Sequence, residues 1–181
     1  MKLPILASLC LAAVVLPALG QEAPVVMKEG QVNEGALIDA LTPAEEPIRT
    51  RSIRVVRNAP ADTVTAKPAK ANLLITFDTN SADLTPAAKQ SLDVVGQALA
   101  SDKLSTFRFA IEGHADPRGV SAANLKLSQA RAESVRRYLI SSKHIDGARL
   151  EAVGKGDQEL MNKSNRDAPE NRRVTIVNLS K

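Results

Sequence analysis

Asp116 and Arg131 are the residues of this sequence whose types and spacing ask most directly for chemistry. Asp116 stands in "IEGHADPRG", a short run with glycines at 113 and 119 that reads as a sharp loop with outward backbone N–H groups. Arg131 follows in "NLKLSQARAESVRRYL", which reads as a helix. Residues 124, 127, 128 and 131 are three or four apart and share a helical face. Asn124, Leu127, Ser128 and Arg131 would therefore form one wall, with Asp116 at its foot. One carboxylate and one guanidinium across a small polar cleft suit an amino-acid zwitterion. The ligand's ammonium would pair with Asp116, and its carboxylate would take two parallel bonds from the planar guanidinium of Arg131. The same spacing also fits a plain Asp–Arg salt bridge that pins loop to helix, and spacing alone does not choose between them.

Catalysis and metal binding find less support. His114 and Asp116 form a His-x-Asp pair, but the other histidine, His144, is distant in the chain. The one cysteine, Cys10, lies near the N-terminus, so the body of the chain has no thiolate ligand or thiol nucleophile. There is no Gly-x-Ser-x-Gly elbow and no phosphate-binding glycine loop. The expectation is a binding protein rather than an enzyme, with no cofactor and no metal.

Positioning these residues takes a compact α/β unit over residues 72–181. "NLLITF" places Leu73, Ile75 and Phe77 on one face of a strand. "TPAAKQSLDVVGQALA" opens with Thr85 as N-cap and Pro86 at the first helical position, and Ala88, Leu92, Val95 and Leu99 make its apolar stripe. "TFRFAIEG" alternates as a half-buried strand. A second helix, capped by Ser121, runs to about Ser141 with Ala132, Val135 and Leu139 inward. "RLEAVGKG" and "RRVTIVNL" complete four strands. The order strand, helix, strand, helix, strand, strand predicts an α+β fold, a βαβαββ two-layer sandwich. Two main helices then lie on one face of a four-stranded mixed sheet, the last strand returning antiparallel. Loops at the carboxyl ends of parallel strands are where ligands sit, and Asp78 and Asp116 both fall there.

The ends of the chain read differently. Residues 1–20, "MKLPILASLCLAAVVLPALG", predict a secretory signal peptide, and Cys10 follows Leu9, a poor setting for lipidation. Residues 21–71 carry five prolines and read as an extension or linker, with one short helix in "EGALIDAL". This stretch is a tether or a docking segment for an envelope protein. The net charge of +4 is slight and interspersed, and there is one tyrosine and no tryptophan, which argues against a nucleic-acid partner.

The motifs "FDTNSADLTPAAKQSLD", "IEGHADPRG", "NLKLSQARAESVRRYL", "VGKGD" and "NRRV" occur in the order seen in OmpA-like C-terminal domains, and residues 73–179 resemble that family throughout. The family includes the peptidoglycan-associated lipoprotein and flagellar motor MotB domains. The resemblance implies the same βαβαββ fold and non-covalent binding of peptidoglycan through the diaminopimelate of its stem peptide. It implies that Asp116 and Arg131 hold that group, with Phe77, Asp78, Asn124 and Leu127 bordering the pocket. One arginine of "NRR" joins them, Arg172 being preferred to Arg173. Ala115 departs from the family's usual threonine. Family members are commonly fixed to the outer membrane by a β-barrel or a lipid, for which residues 21–71 and Cys10 are unsuited. The expectation is a periplasmic form held to the cell wall by its ligand, with outer-membrane association only through a partner of "EGALIDAL" or "RTRSIRVV".

Overall fold

The computed structural model describes residues 26–43, 68–75, 77 and 80–180. The expected signal segment, residues 44–67 with "RTRSIRVV", and Asp78 lie outside the described residues. In chain order the elements are β1 (Val26–Lys28), α1 (Glu34–Leu41), β2 (Lys70–Leu74), α2 (Pro86–Ala100), β3 (Arg108–His114), α3 (Ser121–Lys143), β4 (Leu150–Gly156) and β5 (Val174–Ser180). Single 3-10 turns, Gly147–Arg149 and Pro169–Asn171, precede β4 and β5.

The sheet has five strands, in the order β1-β2-β5-β3-β4, where the sequence argues for four. The added strand, β1, pairs parallel with β2 from Val26 opposite Asn72 to Lys28 opposite Leu74. At three residues it is too short to show the alternation that marks a strand. The strands β2, β3 and β4 share one direction, as expected, but only β3 and β4 are parallel neighbours. The last strand, β5, inserts between β2 and β3 and runs antiparallel to both. It is the middle strand, and its residues Val174 to Asn178 are buried without interruption.

All three helices pack on one face. The core joins Leu73, Ile111 and Ile176 of the sheet to Leu92, Val95 and Leu99 of α2 and Ala132, Val135 and Leu139 of α3. Thr85 caps α2, its Oγ1 accepting the Ala88 N–H at 3.1 Å. The start of α3 differs from expectation. Val120 is its cap, with no side-chain bond, and Ser121 is already helical. The Ser121 hydroxyl instead donates to Asp157 at 2.7 Å. The helix "EGALIDAL" forms as α1, and it is not a loose tether. Leu37 and Leu41 are fully buried, and the Asn178 amide donates to the Leu41 carbonyl at 2.8 Å.

Gly113 lies within β3 rather than in a turn, and its role is close approach. A Cβ there would run into the Ser128 carbonyl of α3. The edge strand β4 is closed by α3 side chains. Arg136 Nε donates to the Leu150 carbonyl at 2.8 Å, and the Gln129 amide bonds both the Ala152 carbonyl and the Gly154 N–H. Ser128 Oγ accepts the Gly156 N–H at 2.9 Å. Side chains thus occupy backbone groups that would otherwise invite another strand.

Arg149 fastens the end of α2 to the sheet. Its Nε donates to the Phe107 carbonyl at 3.0 Å, and its Nη2 to those of Leu99 and Leu104 at 2.9 and 2.7 Å. Arg149→Ala should therefore cost about 3 kcal/mol, because acceptors half hidden from water lose their donors together. Arg149→Lys should recover only part, since one ammonium cannot reproduce the planar fork. Urea unfolding checks this, and a loss under about 1 kcal/mol would show the carbonyls readily rehydrate.

Candidate functional site

The loop after β3 is held from three sides. The His114 N–H donates to the Arg173 carbonyl at 2.9 Å, and the Ala115 N–H to the Gly156 carbonyl at 2.8 Å. Asn124 of α3 reaches over and donates its amide to the carbonyls of Asp116, at 3.1 Å, and Arg118, at 3.0 Å. Gly119 turns the chain with φ +89°, a left-handed conformation that glycine adopts without strain. Asn124 thus positions the loop that carries Asp116.

The Asp116 carboxylate is buried, and two arginines grip it. Arg118 donates from Nε at 3.0 Å and Nη2 at 2.7 Å, and its backbone N–H adds a bond at 3.1 Å. Arg172 donates from Nη1 at 2.8 Å. These bonds, led by the Arg118 side chain, hold the carboxyl at about 2 although burial pushes the other way. The grip of Arg118 was not read from sequence; its signal was a basic residue two positions after the aspartate, within reach of an Asx-type turn.

Arg131 makes no direct bond to Asp116. Its Nε donates to the Ser81 carbonyl at 3.0 Å, and its guanidinium lies 4.9 Å above the centre of the Phe77 ring. Burial lowers its pKa first and repulsion from Arg172 lowers it further, with Asp116 opposing. The direct Asp116–Arg131 salt bridge that the spacing also allowed does not form among the described residues. Asp116 is satisfied by Arg118 and Arg172, and Arg131 points into a neighbouring cleft of about 140 Å³.

That cleft brings Phe77, Arg131 and Arg172 together with His114 and Arg173, and Leu74, Ile75 and Pro169 complete its wall. Phe77 is outside β2, in an isolated bridge with Leu84. Leu127 is half-buried on α3 and does not line the cleft. The two arginines of "NRR" divide their roles: Arg172 is half-exposed and reaches Asp116, whereas Arg173 is buried. Both are set by Asn171, which sequence reasoning missed. Buried Asn171 accepts the Asn162 N–H at 2.9 Å and donates to the carbonyls of Asn162, Asn165 and Arg166, folding the loop beneath them.

His114 faces away from metal-like company. Its nearest acidic oxygen is on Glu112, 3.9 Å away. Among the described residues no three His, Cys, Asp or Glu side chains gather as metal ligands would, and no helix is long and apolar enough to cross a membrane.

Known proteins resemble this chain over the same region. Outer membrane protein A of Bordetella avium is 40% identical over 102 residues, which cover 55% of this chain and 51% of that protein. The peptidoglycan-associated lipoprotein of Pseudomonas putida is 34% identical over 102 residues, covering 55% and 59%. The chain thus spans little more than half the length of these relatives. Among solved structures, a MotB-like protein from Desulfovibrio vulgaris superposes with a TM-score of 0.53 at 25% identity, covering 62% of this chain and 73% of that one. The periplasmic domain of Helicobacter pylori MotB shares the fold, with a TM-score of 0.53 at 17% identity. The OmpA family model matches residues 76–173, which include β3, α3, β4 and every described residue of the cleft except Leu74 and Ile75, and the protein belongs to the OmpA family.

Proposed function

We propose that this protein binds peptidoglycan non-covalently in the periplasm, taking the diaminopimelate of a stem peptide between Asp116 and Arg131. The observation that carries the reading is the half-buried Arg131 guanidinium, which lines an open cleft beside the Asp116 loop with no carboxylate bonded to it among the described residues. A cation desolvated in this way favours an anionic ligand, and a bidentate bond to a carboxylate compensates the burial. The ligand's ammonium takes the Asp116 carboxylate by displacing Arg118, whose side chain is 61% exposed and free to swing out. Phe77 borders the ligand within the cleft, Asp78 and the α3 residue Leu127 border it outside, Asn124 fixes the loop, and Arg172 completes the anion side. The work is binding and no catalytic step is assigned. Residues 1–20 direct export, and an envelope protein contacting residues 21–71 supplies any link to the outer membrane.

A second reading rests on the occupied Asp116. Because Arg118 and Arg172 already satisfy it, the cluster also suits a structural clamp in an envelope adaptor whose main partner is a protein. Sedimentation with insoluble diaminopimelate-type peptidoglycan separates the two. Wild type should pellet, and Asp116→Ala and Arg131→Ala should each weaken retention by at least about tenfold while remaining folded. Wild type left in the supernatant would favour the adaptor. Retention of both variants would move the wall contact to another surface.

A further inference from the structure

Two buried polar side chains in the cleft hold neither Asp116 nor Arg131. His114 is 2% exposed, and neither of its ring nitrogens has a hydrogen-bond partner. Glu112, the nearest acid, is itself paired with Lys155 at 3.3 Å. Arg173 is 8% exposed; its Nη atoms reach the Glu159 carbonyl only at 3.3 Å, and its Nε has no partner. Buried polar groups in folded proteins are nearly always hydrogen-bonded, so two such neighbours facing one cleft point to a ligand group.

The cleft's lining states what that group is. Arg131, Arg172 and Arg173 bring three cations to it, and no acidic side chain among the described residues lines it. Phe77 and Pro169 add apolar surface beside them. Around His114 stand Arg173, Lys70 from β2 and Lys155 from β4, against Glu112 on its own strand and Glu159 beyond β4. One carboxylate on Arg131 leaves the Arg173 Nε and both His114 ring nitrogens without a hydrogen-bond partner, although Glu159 and Glu112 act on the Arg173 charge.

We propose that His114, Arg172 and Arg173 form a second anion seat in this cleft, which takes a second carboxylate joined to the first by a short aliphatic spacer. The proposal rests on the wall-binding reading and narrows it: the site selects stem peptides ending at diaminopimelate with both carboxylates free. Arg131 binds the carboxylate of the amino-acid end. The methylenes lie along Phe77 and Pro169, and the far carboxylate accepts from the Arg173 fork, from Arg172 and from the N–H of neutral His114.

Calorimetric titration of the purified protein with two probes tests this. One is the tripeptide L-Ala-γ-D-Glu-meso-diaminopimelate; the other is the same peptide with its terminal carboxyl as a primary carboxamide. Wild type should bind the tripeptide at least about tenfold more tightly than the amide. Arg173→Gln should bring that ratio near one, by a larger loss of affinity for the tripeptide than for the amide. Should Arg173→Gln fail to fold, His114→Asn gives the same comparison, and the two probes on wild type decide without any variant. Equal affinities for wild type would overturn the second seat and leave wall binding standing. Binding of neither peptide would overturn the wall-binding reading itself.

Discussion

Acidification from pH 6.5 to 5 should remove about 2 kcal/mol of folding stability, and His114 should be the cause. Burial, reinforced by the Arg173 charge, holds its pKa at about 3 in the folded protein against 6.5 for an ordinary histidine. Below pH 6.5 the unfolded chain takes up a proton that the folded chain refuses. Stability is complete above that value, falls by up to about 1.4 kcal/mol per pH unit toward pH 3, and levels off below it. The full span is roughly 4–5 kcal/mol, a large share of a small domain's stability. Asp116 and Glu159 have pKa values lowered by folding, so their contributions are lost only below their ordinary values of 3.8 and 4.5. Urea midpoints between pH 5 and 6.5 therefore isolate the histidine. His114→Asn should flatten the slope in that window whatever it does to stability at pH 7.5. An unchanged slope would place the proton uptake elsewhere.

Deleting residues 1–43 should destabilise the remaining domain by roughly 4–6 kcal/mol. Met27, Leu37 and Leu41 are all core residues, and burying a large apolar side chain stabilises by about 1.5–3 kcal/mol. Without α1 the apolar surface it covers on α2, β2 and β5 meets water, and the Asn178 amide loses the Leu41 carbonyl. Leu41→Ala alone should cost about 3 kcal/mol. If a chain starting at residue 44 unfolds at the same urea midpoint as the whole, α1 is dispensable for the fold.

The two main helices were legible because their signals are local. Thr85 followed by Pro86 marks a helix start, and Ala88, Leu92, Val95 and Leu99 repeat at helical spacing; all four are buried. β1 was not legible, since three residues carry no period. Nor was the insertion of β5 between β2 and β3, because strand order depends on which edge remains open after the helices pack. The site divides in the same way. Asp116, Arg131, Phe77 and Arg172 lie in one neighbourhood, but their partners were hidden. Whether Asp116 meets Arg118 or Arg131 is decided by long side chains choosing among rotamers, and no spacing rule encodes that choice. His114 read only as half of a His-x-Asp pair, whereas it ends β3, buried in the cleft that Arg173 also lines. Gly113 read as flexibility and proves to be the clearance that lets α3 lie against the strand.

In the proposed binding mode, the bidentate hold of Arg118 on Asp116 makes capture at that end an exchange of cations rather than the creation of an ion pair. A guanidinium leaves the carboxylate as an ammonium arrives, so the number of neutralised charges there is the same before and after. Added salt weakens both contacts together, and its effects on the two largely cancel. What ionic strength does change is tempo. Loosening the Arg118 contact shortens the wait for the carboxylate to come free, so under the proposed wall binding moderate salt should quicken exchange while eroding affinity mainly through the arginine-lined cleft.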